Sequence, residues 1–167
     1  MKVTVHDSIA AIPAGDWNAL VGDAYPFLSH DFLELAEHSG SVSPDAGWSP
    51  RHLVLRDGKT LRAAMPLYEK SHSWGEFVFD WAWAHAYEQA GLPYYPKLVS
   101  AVPFTPAPSR RLLLADLERG FREQQYRAQL DELEQALAAA LPAGDERERL
   151  AQGVGRILGR MREETPE

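Results

Sequence analysis

Arg51-His-Leu-Val-Leu-Arg-Asp57-Gly-Lys-Thr60-Leu-Arg-Ala-Ala-Met-Pro-Leu-Tyr68 is the stretch that decides the fold class. Two runs, Arg51–Arg56 and Thr60–Tyr68, flank Asp57-Gly58-Lys59, and Asp-Gly supplies the positive-φ residues of a tight hairpin. His52, Val54 and Arg56 alternate with Leu53 and Leu55, the two-residue period of a strand. Working outward, Val3 and Val5 alternate in a short strand. Pro13 opens a helix through Trp17, Leu20 and Val21, with proline early in the first turn. Ser29 is a suitable N-cap for a helix over Asp31–His38, where Phe32, Leu35 and Ala36 have helical spacing and Ser39-Gly40 marks the stop. Phe79–Ala90 reads as a helix ended by Gly91, and Lys97–Phe104 as a further strand. Strands and helices interleave, so the first 108 residues predict an α/β fold.

A chain of 167 residues and 18.7 kDa is one domain with room for an appendage. At 45% hydrophobic residues it can bury a real core, which excludes global disorder. A net charge of -7 argues against DNA, RNA or an anionic membrane as the main partner. With no cysteine there are no disulfides, Cys-based zinc sites or thiol nucleophile. The opening Met1-Lys-Val-Thr-Val-His-Asp7 lacks an apolar signal core, and no run approaches the ~18 apolar residues of a membrane span. These features predict a cytoplasmic protein.

Composition changes at Pro103, Pro106 and Pro108. All four lysines, all six histidines and every tryptophan lie before this point. Residues 109–167 are rich in Ala, Leu, Glu and Gln and use only arginine for positive charge. Two domains are expected, 1–108 and 109–167. In the second, Leu113/Leu114, Leu117, Phe121, Leu130, Leu133, Leu137 and Leu141 recur at three and four residues. Pro142-Ala-Gly144 breaks the pattern, and Leu150, Val154, Ile157, Leu158 and Met161 resume it. The expectation is a C-terminal helical hairpin. A pair of amphipathic helices buries too little to stand alone, so its surplus apolar stripe predicts a homodimer through residues 113–163.

Residues 65–105 carry the candidate chemistry. Trp74, Trp81, Trp83, Tyr87, Tyr94, Tyr95 and Phe104 lie among Lys70, His72, Glu76, Asp80, His85 and Lys97. Large rings beside ionisable groups make the composition of a pocket lining. His72, Glu76 and Asp80 stand four residues apart, and a helix there would align them. Three readings stay open: structural partners of backbone and solvent, acid–base groups of an acceptor pocket, or, with His85, a metal set. Lys70, His72 and Lys97 are candidate contacts for an anionic group, though Lys97 is equally a solvated strand end. At least one of Trp81 and Trp83 is expected in the core, given the area a tryptophan buries. No Gly-x-Ser-x-Gly, His-Glu-x-x-His or P-loop pattern is present.

Several segments resemble the FemAB-like branch of the GNAT acyltransferase superfamily, the peptidoglycan biosynthesis/recognition proteins. They are Pro26-Phe-Leu-Ser-His-Asp-Phe-Leu, Trp48-Ser-Pro-Arg-His-Leu-Val-Leu-Arg-Asp-Gly, Ala64-Met-Pro-Leu-Tyr, Lys70-Ser-His-Ser-Trp-Gly-Glu-Phe-Val-Phe-Asp-Trp-Ala-Trp-Ala, Tyr94-Tyr-Pro-Lys-Leu and Ala101-Val-Pro-Phe-Thr-Pro. The resemblance covers about residues 12–106. It implies a partial GNAT-like mixed sheet with flanking helices, and transfer of an acyl or aminoacyl group from an activated donor to an amine. On that basis Asp80, Glu76 and His72 are the catalytic candidates. Lys70, Trp74, Trp81, His85, Tyr95, Lys97 and Phe104 are the candidates for holding a small-molecule or peptidoglycan-precursor acceptor. No metal set is assigned. No cofactor is evident, and an acyl-CoA or aminoacyl-tRNA donor enters only through the resemblance. Such proteins are more than twice this length, and no Gly-rich turn that would hold a CoA pyrophosphate occurs here. The expectation is therefore a truncated relative: a transferase incomplete as one chain, or a non-catalytic binding scaffold that oligomerises through its tail.

Overall fold

The predicted hairpin is the spine of the structure, but it serves two sheets. The computed structural model describes residues 1–115 except 23, 24, 78 and 107, together with residue 156. The hairpin comprises β2 (Trp48–Pro50), β3 (His52–Asp57), β4 (Thr60–Met65) and β5 (Tyr68–Lys70). One antiparallel register runs from Trp48 to Leu55 and shifts by a bulge before Arg56: Trp48 faces Lys70 and Pro50 faces Tyr68 in one sheet, while Leu53 faces Met65 and Leu55 faces Ala63 in the other. The second run was expected to continue from Thr60 to Tyr68. Instead it breaks at Pro66, which has no N–H for the ladder, and beyond it the chain joins the second sheet. Arg51 N still donates to Leu67 O at 2.8 Å, so the two strands stay paired across the bend. Asp57 pairs with Thr60, leaving Gly58-Lys59 as a two-residue loop with Gly58 at φ 58°.

The larger sheet is completed by β1 (Lys2–His6) beside β3 and β7 (Leu113–Leu114) beside β4, in the order β1-β3-β4-β7. The smaller runs β2-β5-β6, with β6 at Lys97–Val99. The strand predicted over Lys97–Phe104 therefore stops at Val99, where its three-residue partner β5 runs out. Among the described residues there are three α-helices: α1 (Ala14–Val21), α2 (His30–His38) and α3 (Trp81–Gln89). The result is a mixed α/β fold with two antiparallel sheets.

The core forms where α1 and α2 cover one face of the larger sheet. Ile9, Ile12, Trp17, Leu20, Leu28 and Leu33 pack on Val54, Ala64 and Leu113. Ser29 caps α2 as predicted, its Oγ accepting from Phe32 N at 3.3 Å. Trp17 Nε1 donates to Leu28 O at 2.8 Å, so the buried indole leaves no orphan donor. His52, Leu53, Val54 and Leu55 are buried in succession, so β3 is enclosed on both faces. Glu37 of α2 accepts from Ser8 Oγ (2.7 Å) and Ile9 N (3.0 Å). It also meets His52 Nε2 at 2.9 Å. His52 Nδ1 accepts from Leu67 N, which places the ring proton on Nε2, facing Glu37. Burial pushes the Glu37 carboxyl up, but these donors outweigh it and hold it below its ordinary value. This partly buried pair ties a helix to the spine of the sheet.

Leu113 and Leu114 are not the start of a helical stripe. They form a buried edge strand on Ala64 and Ala63, so the sheet continues past the proline cluster and these two residues are not free for a second chain. The rest of the predicted hairpin and dimer stripe, from Leu117 to Leu141 and from Leu150 to Met161, lies outside the described residues. Among the described residues, no helix is long and apolar enough to cross a membrane.

Candidate functional site

Between β5 and α3 the described residues from Ser71 to Phe79 form neither helix nor strand, and the chain turns at Gly75 with φ 84°. Any side chain there would meet the Phe104 ring at 2.5 Å and Trp48 Nε1 at 2.8 Å, so the turn needs glycine twice over. This turn abolishes the helix that would have aligned His72, Glu76 and Asp80. Two of the three converge nevertheless, by a different route.

Asp80 stands at the N-cap of α3, yet its side chain caps nothing. Its Oδ1 accepts from Ser73 Oγ and, at 2.9 Å, from the Tyr95 hydroxyl. Its Oδ2 accepts from Lys97 Nζ and, at 2.6 Å, from the Tyr94 hydroxyl. Lys97 Nζ also reaches Glu76 Oε2 at 2.7 Å, and its ammonium lies 5.8 and 5.9 Å from the Tyr94 and Tyr95 rings. Forgoing the cap costs α3 about 1 kcal/mol. The donors instead assemble loop, helix start and β6 around one carboxylate.

The electrostatics follow from this crowding. Burial alone would raise the Asp80 carboxyl, but donors from Lys97, Ser73, Tyr94 and Tyr95 hold it well below the usual carboxylate range. Burial would lower Lys97, and its bonds to Asp80 and Glu76 raise it instead. Tyr94 and Tyr95 are pushed up, first by burial and then by the neighbouring carboxylate. Asp80 is thus a saturated acceptor and a weak base. Glu76 differs: among the described residues its Oε1 is buried with no donor. The two carboxylates are balanced by Lys97, which bonds both, and by the Lys70 ammonium, which both carboxylates attract.

The other predicted residues divide. Lys70 is not an anion contact: it is 0% exposed, its Nζ 2.7 Å from Trp74 O and 3.9 Å from the centre of the Trp48 ring. Burial lowers its pKa to about 8. The cause is strand period, since Tyr68 and Lys70 share the inward face of β5 and Glu69 points away. His72 stands apart from the carboxylates, its Nδ1 accepting from Trp74 N at 3.2 Å and its ring seated against Gly47. His85 is exposed on α3 beside Glu88 and Gln89. Phe104, at φ 56°, holds its half-exposed ring 5.6 Å from Trp48. Neither Trp81 nor Trp83 enters the core: α3 buries no residue, and the two are 55% and 66% exposed. Trp74 is 64% exposed.

Ser73 and Tyr94 were absent from the predicted set. The Tyr94-Tyr95 pair before Pro96-Lys97 was a usable signal for the second, whereas one serine in a polar loop offered none. Between α3 and residues 91–95 lies a cleft of about 620 Å³, walled by Trp81, His85, Glu88, Tyr94 and Tyr95.

Neither the curated proteins nor the solved structures include a match to this chain. The family comparison does match, over residues 8–142, well past the 12–106 expected from the sequence segments. The matched span contains every strand of the two sheets but β1, the aromatic rim and the whole carboxylate–lysine–tyrosine cluster. The chain belongs to the FemAB-like family, described as peptidoglycan biosynthesis/recognition.

Proposed function

We propose that this chain forms the acceptor side of a peptidoglycan-directed acyl- or aminoacyltransferase of GNAT-like type, and that it recognises its acceptor by an amine. The observation that carries this reading is Glu76 Oε1, a buried carboxylate oxygen without a donor among the described residues. A buried carboxylate oxygen left unpaired costs about 1–3 kcal/mol or more, and a ligand N–H placed there removes that cost. Lys97, itself bonded to Asp80, holds Glu76 in place. In transfer, the amine nitrogen bonds to the acyl carbon of an acyl-CoA or aminoacyl-tRNA donor. Its proton passes to Glu76 Oε1, and the donor's leaving group departs with the bond electrons.

A second reading, recognition without catalysis, is favoured by the strongly acidic Asp80, since a general base works best with a pKa near the operating pH. Both readings need the amine. Calorimetric titration of the full chain with a muropeptide bearing a free diamino-acid amine, and with its N-acetylated form, tests this. Acetylation and Glu76→Gln are each expected to weaken binding at least tenfold, about 1.4 kcal/mol, with unchanged circular dichroism. Equal affinity for the two muropeptides sinks the assignment. Mass gain of the acceptor with either donor then separates transfer from recognition alone.

A further inference from the structure

His30 opens α2 almost wholly buried, at 4% exposure. Its Nε2 lies 3.0 Å from Ile9 O and 2.9 Å from Ile12 O. Both partners are carbonyls, which only accept, so Nε2 carries the ring proton and Nδ1 is left as a lone-pair acceptor. Among the described residues that Nδ1 is buried with no hydrogen-bond partner. The group facing it is negative. Glu34 Oε2, one turn along the helix, stands 3.5 Å away, too far for a hydrogen bond. A carboxylate oxygen of Asp31 completes the group, the three ligand atoms lying within 4.8 Å of one another. Acidic residues at the start of a helix are favoured by its dipole whether or not an ion is bound, so Asp31 and Glu34 alone carry nothing. The buried, unpaired Nδ1 turned towards them is the independent observation, because a lone pair set against a carboxylate is repulsive.

We infer that His30 Nδ1, Asp31 and Glu34 bind a divalent first-row transition ion of the Zn²⁺ type. A cation placed there satisfies the orphan nitrogen and turns the repulsion into two attractions. The donor set selects the class: an imidazole nitrogen suits Zn²⁺ and its neighbours, whereas Mg²⁺ and Ca²⁺ prefer oxygen throughout. Two carboxylates balance the charge of a divalent ion. Tetrahedral bonds of about 2.0–2.1 Å separate ligand atoms by about 3.3 Å. Nδ1 and Glu34 Oε2 already stand close to that spacing, and the exposed Asp31 side chain can close by a change of rotamer. The Ile9 and Ile12 carbonyls act as the outer partners that fix the tautomer and the plane of a ligating ring. With three protein ligands, the fourth position is left to water. The ion would tie the start of α2 to residues 9–12, between β1 and α1. This site uses no residue of the Glu76 cluster and does not depend on the amine reading.

Calorimetric titration of the chelator-stripped full chain with zinc chloride should show one saturable site that excess magnesium does not displace. Asp31→Asn and Glu34→Gln replace exposed side chains and should each weaken that site at least about tenfold, with unchanged circular dichroism. His38→Gln, exposed at the far end of the same helix, should leave the affinity as it is. Zinc should raise the Tm of the wild type more than that of Glu34→Gln, since an ion that binds only the folded chain stabilises it. It should also shift the nitrogen NMR signal of His30 Nδ1. No binding at millimolar zinc overturns the proposal, as does full affinity in both carboxylate variants. An equal loss in His38→Gln shows an adventitious ion only. A Nδ1 signal that saturating zinc does not move, with a proton shared between Nδ1 and Glu34, assigns the group to an ion pair within the helix instead. The muropeptide titration reads Glu76 and not this site, so each proposal fails by its own experiment.

Discussion

Lys70 shows most clearly how one buried charge records its surroundings. It has no carboxylate partner within bonding distance among the described residues, only a carbonyl and an indole face. Its folded pKa of about 8 lies below the ordinary 10.5, so below pH 8 the fold carries the full penalty of a buried ammonium. As pH rises from about 8 towards 10.5, the folded lysine loses its proton before the unfolded one does, and stability rises. Lys97 acts in the opposite sense and in a different window: its pKa is raised, so its contribution is intact below 10.5 and is lost above. The tyrosine pair also withdraws stability above pH 10, because its folded pKa values are raised. The clean interval is therefore pH 8 to 10. Chemical denaturation there should show wild type gaining stability and Lys70→Met staying flat, the variant being level with or above wild type at pH 7. A Lys70→Met protein that keeps the same rise places the titrating group elsewhere.

At the scale of elements, the loop from Ser71 to Phe79 does the positioning. It carries Ser73, Trp74, Glu76 and Phe79, and it turns on Gly75 against Phe104 and Trp48. Gly75→Ala combines left-handed strain of about 1–3 kcal/mol with a collision against two rings. It is expected to lower stability by at least about 2 kcal/mol and to disturb the tryptophan near-UV circular dichroism. Gly58→Ala, also at positive φ but with open space around its missing Cβ, should cost about 1 kcal/mol and leave that spectrum unchanged. Equal losses at the two sites would show that the loop is not pinned by the Phe104 and Trp48 rings.

For the molecule as a whole, the decisive contact is β7 on β4. It returns the chain across the proline cluster to close the larger sheet, and Leu113 joins the cluster packed beneath α1 and α2. Leu113→Ala should cost about 2–5 kcal/mol in urea unfolding, as large-to-small core changes do. A chain ending at residue 108 should lose cooperative unfolding, because it exposes β4 as a bare edge together with the apolar face beneath β7. Cooperative, soluble folding of residues 1–108 would support the boundary that composition suggests.

The amino-acid sequence by itself determined the parts whose signals are local. Asp57-Gly58 set the hairpin, Ser29 capped α2, Gly91 stopped α3, and period two placed β1 and β3, because turn dihedrals, caps and strand alternation act within a few residues. It also drew the candidate site to residues 65–105, where rings and charges stand together. What only the tertiary structure decided depends on pairing at a distance. Pro66 split one predicted strand between two sheets, and Leu113-Leu114 read as helix by spacing until β4 offered an edge. Lys70 read as a contact for an anionic group until β2 laid Trp48 over it. Asp80 and Glu76 met through Lys97 from β6 rather than along a helix, because an ion pair between segments some twenty residues apart leaves no periodic trace.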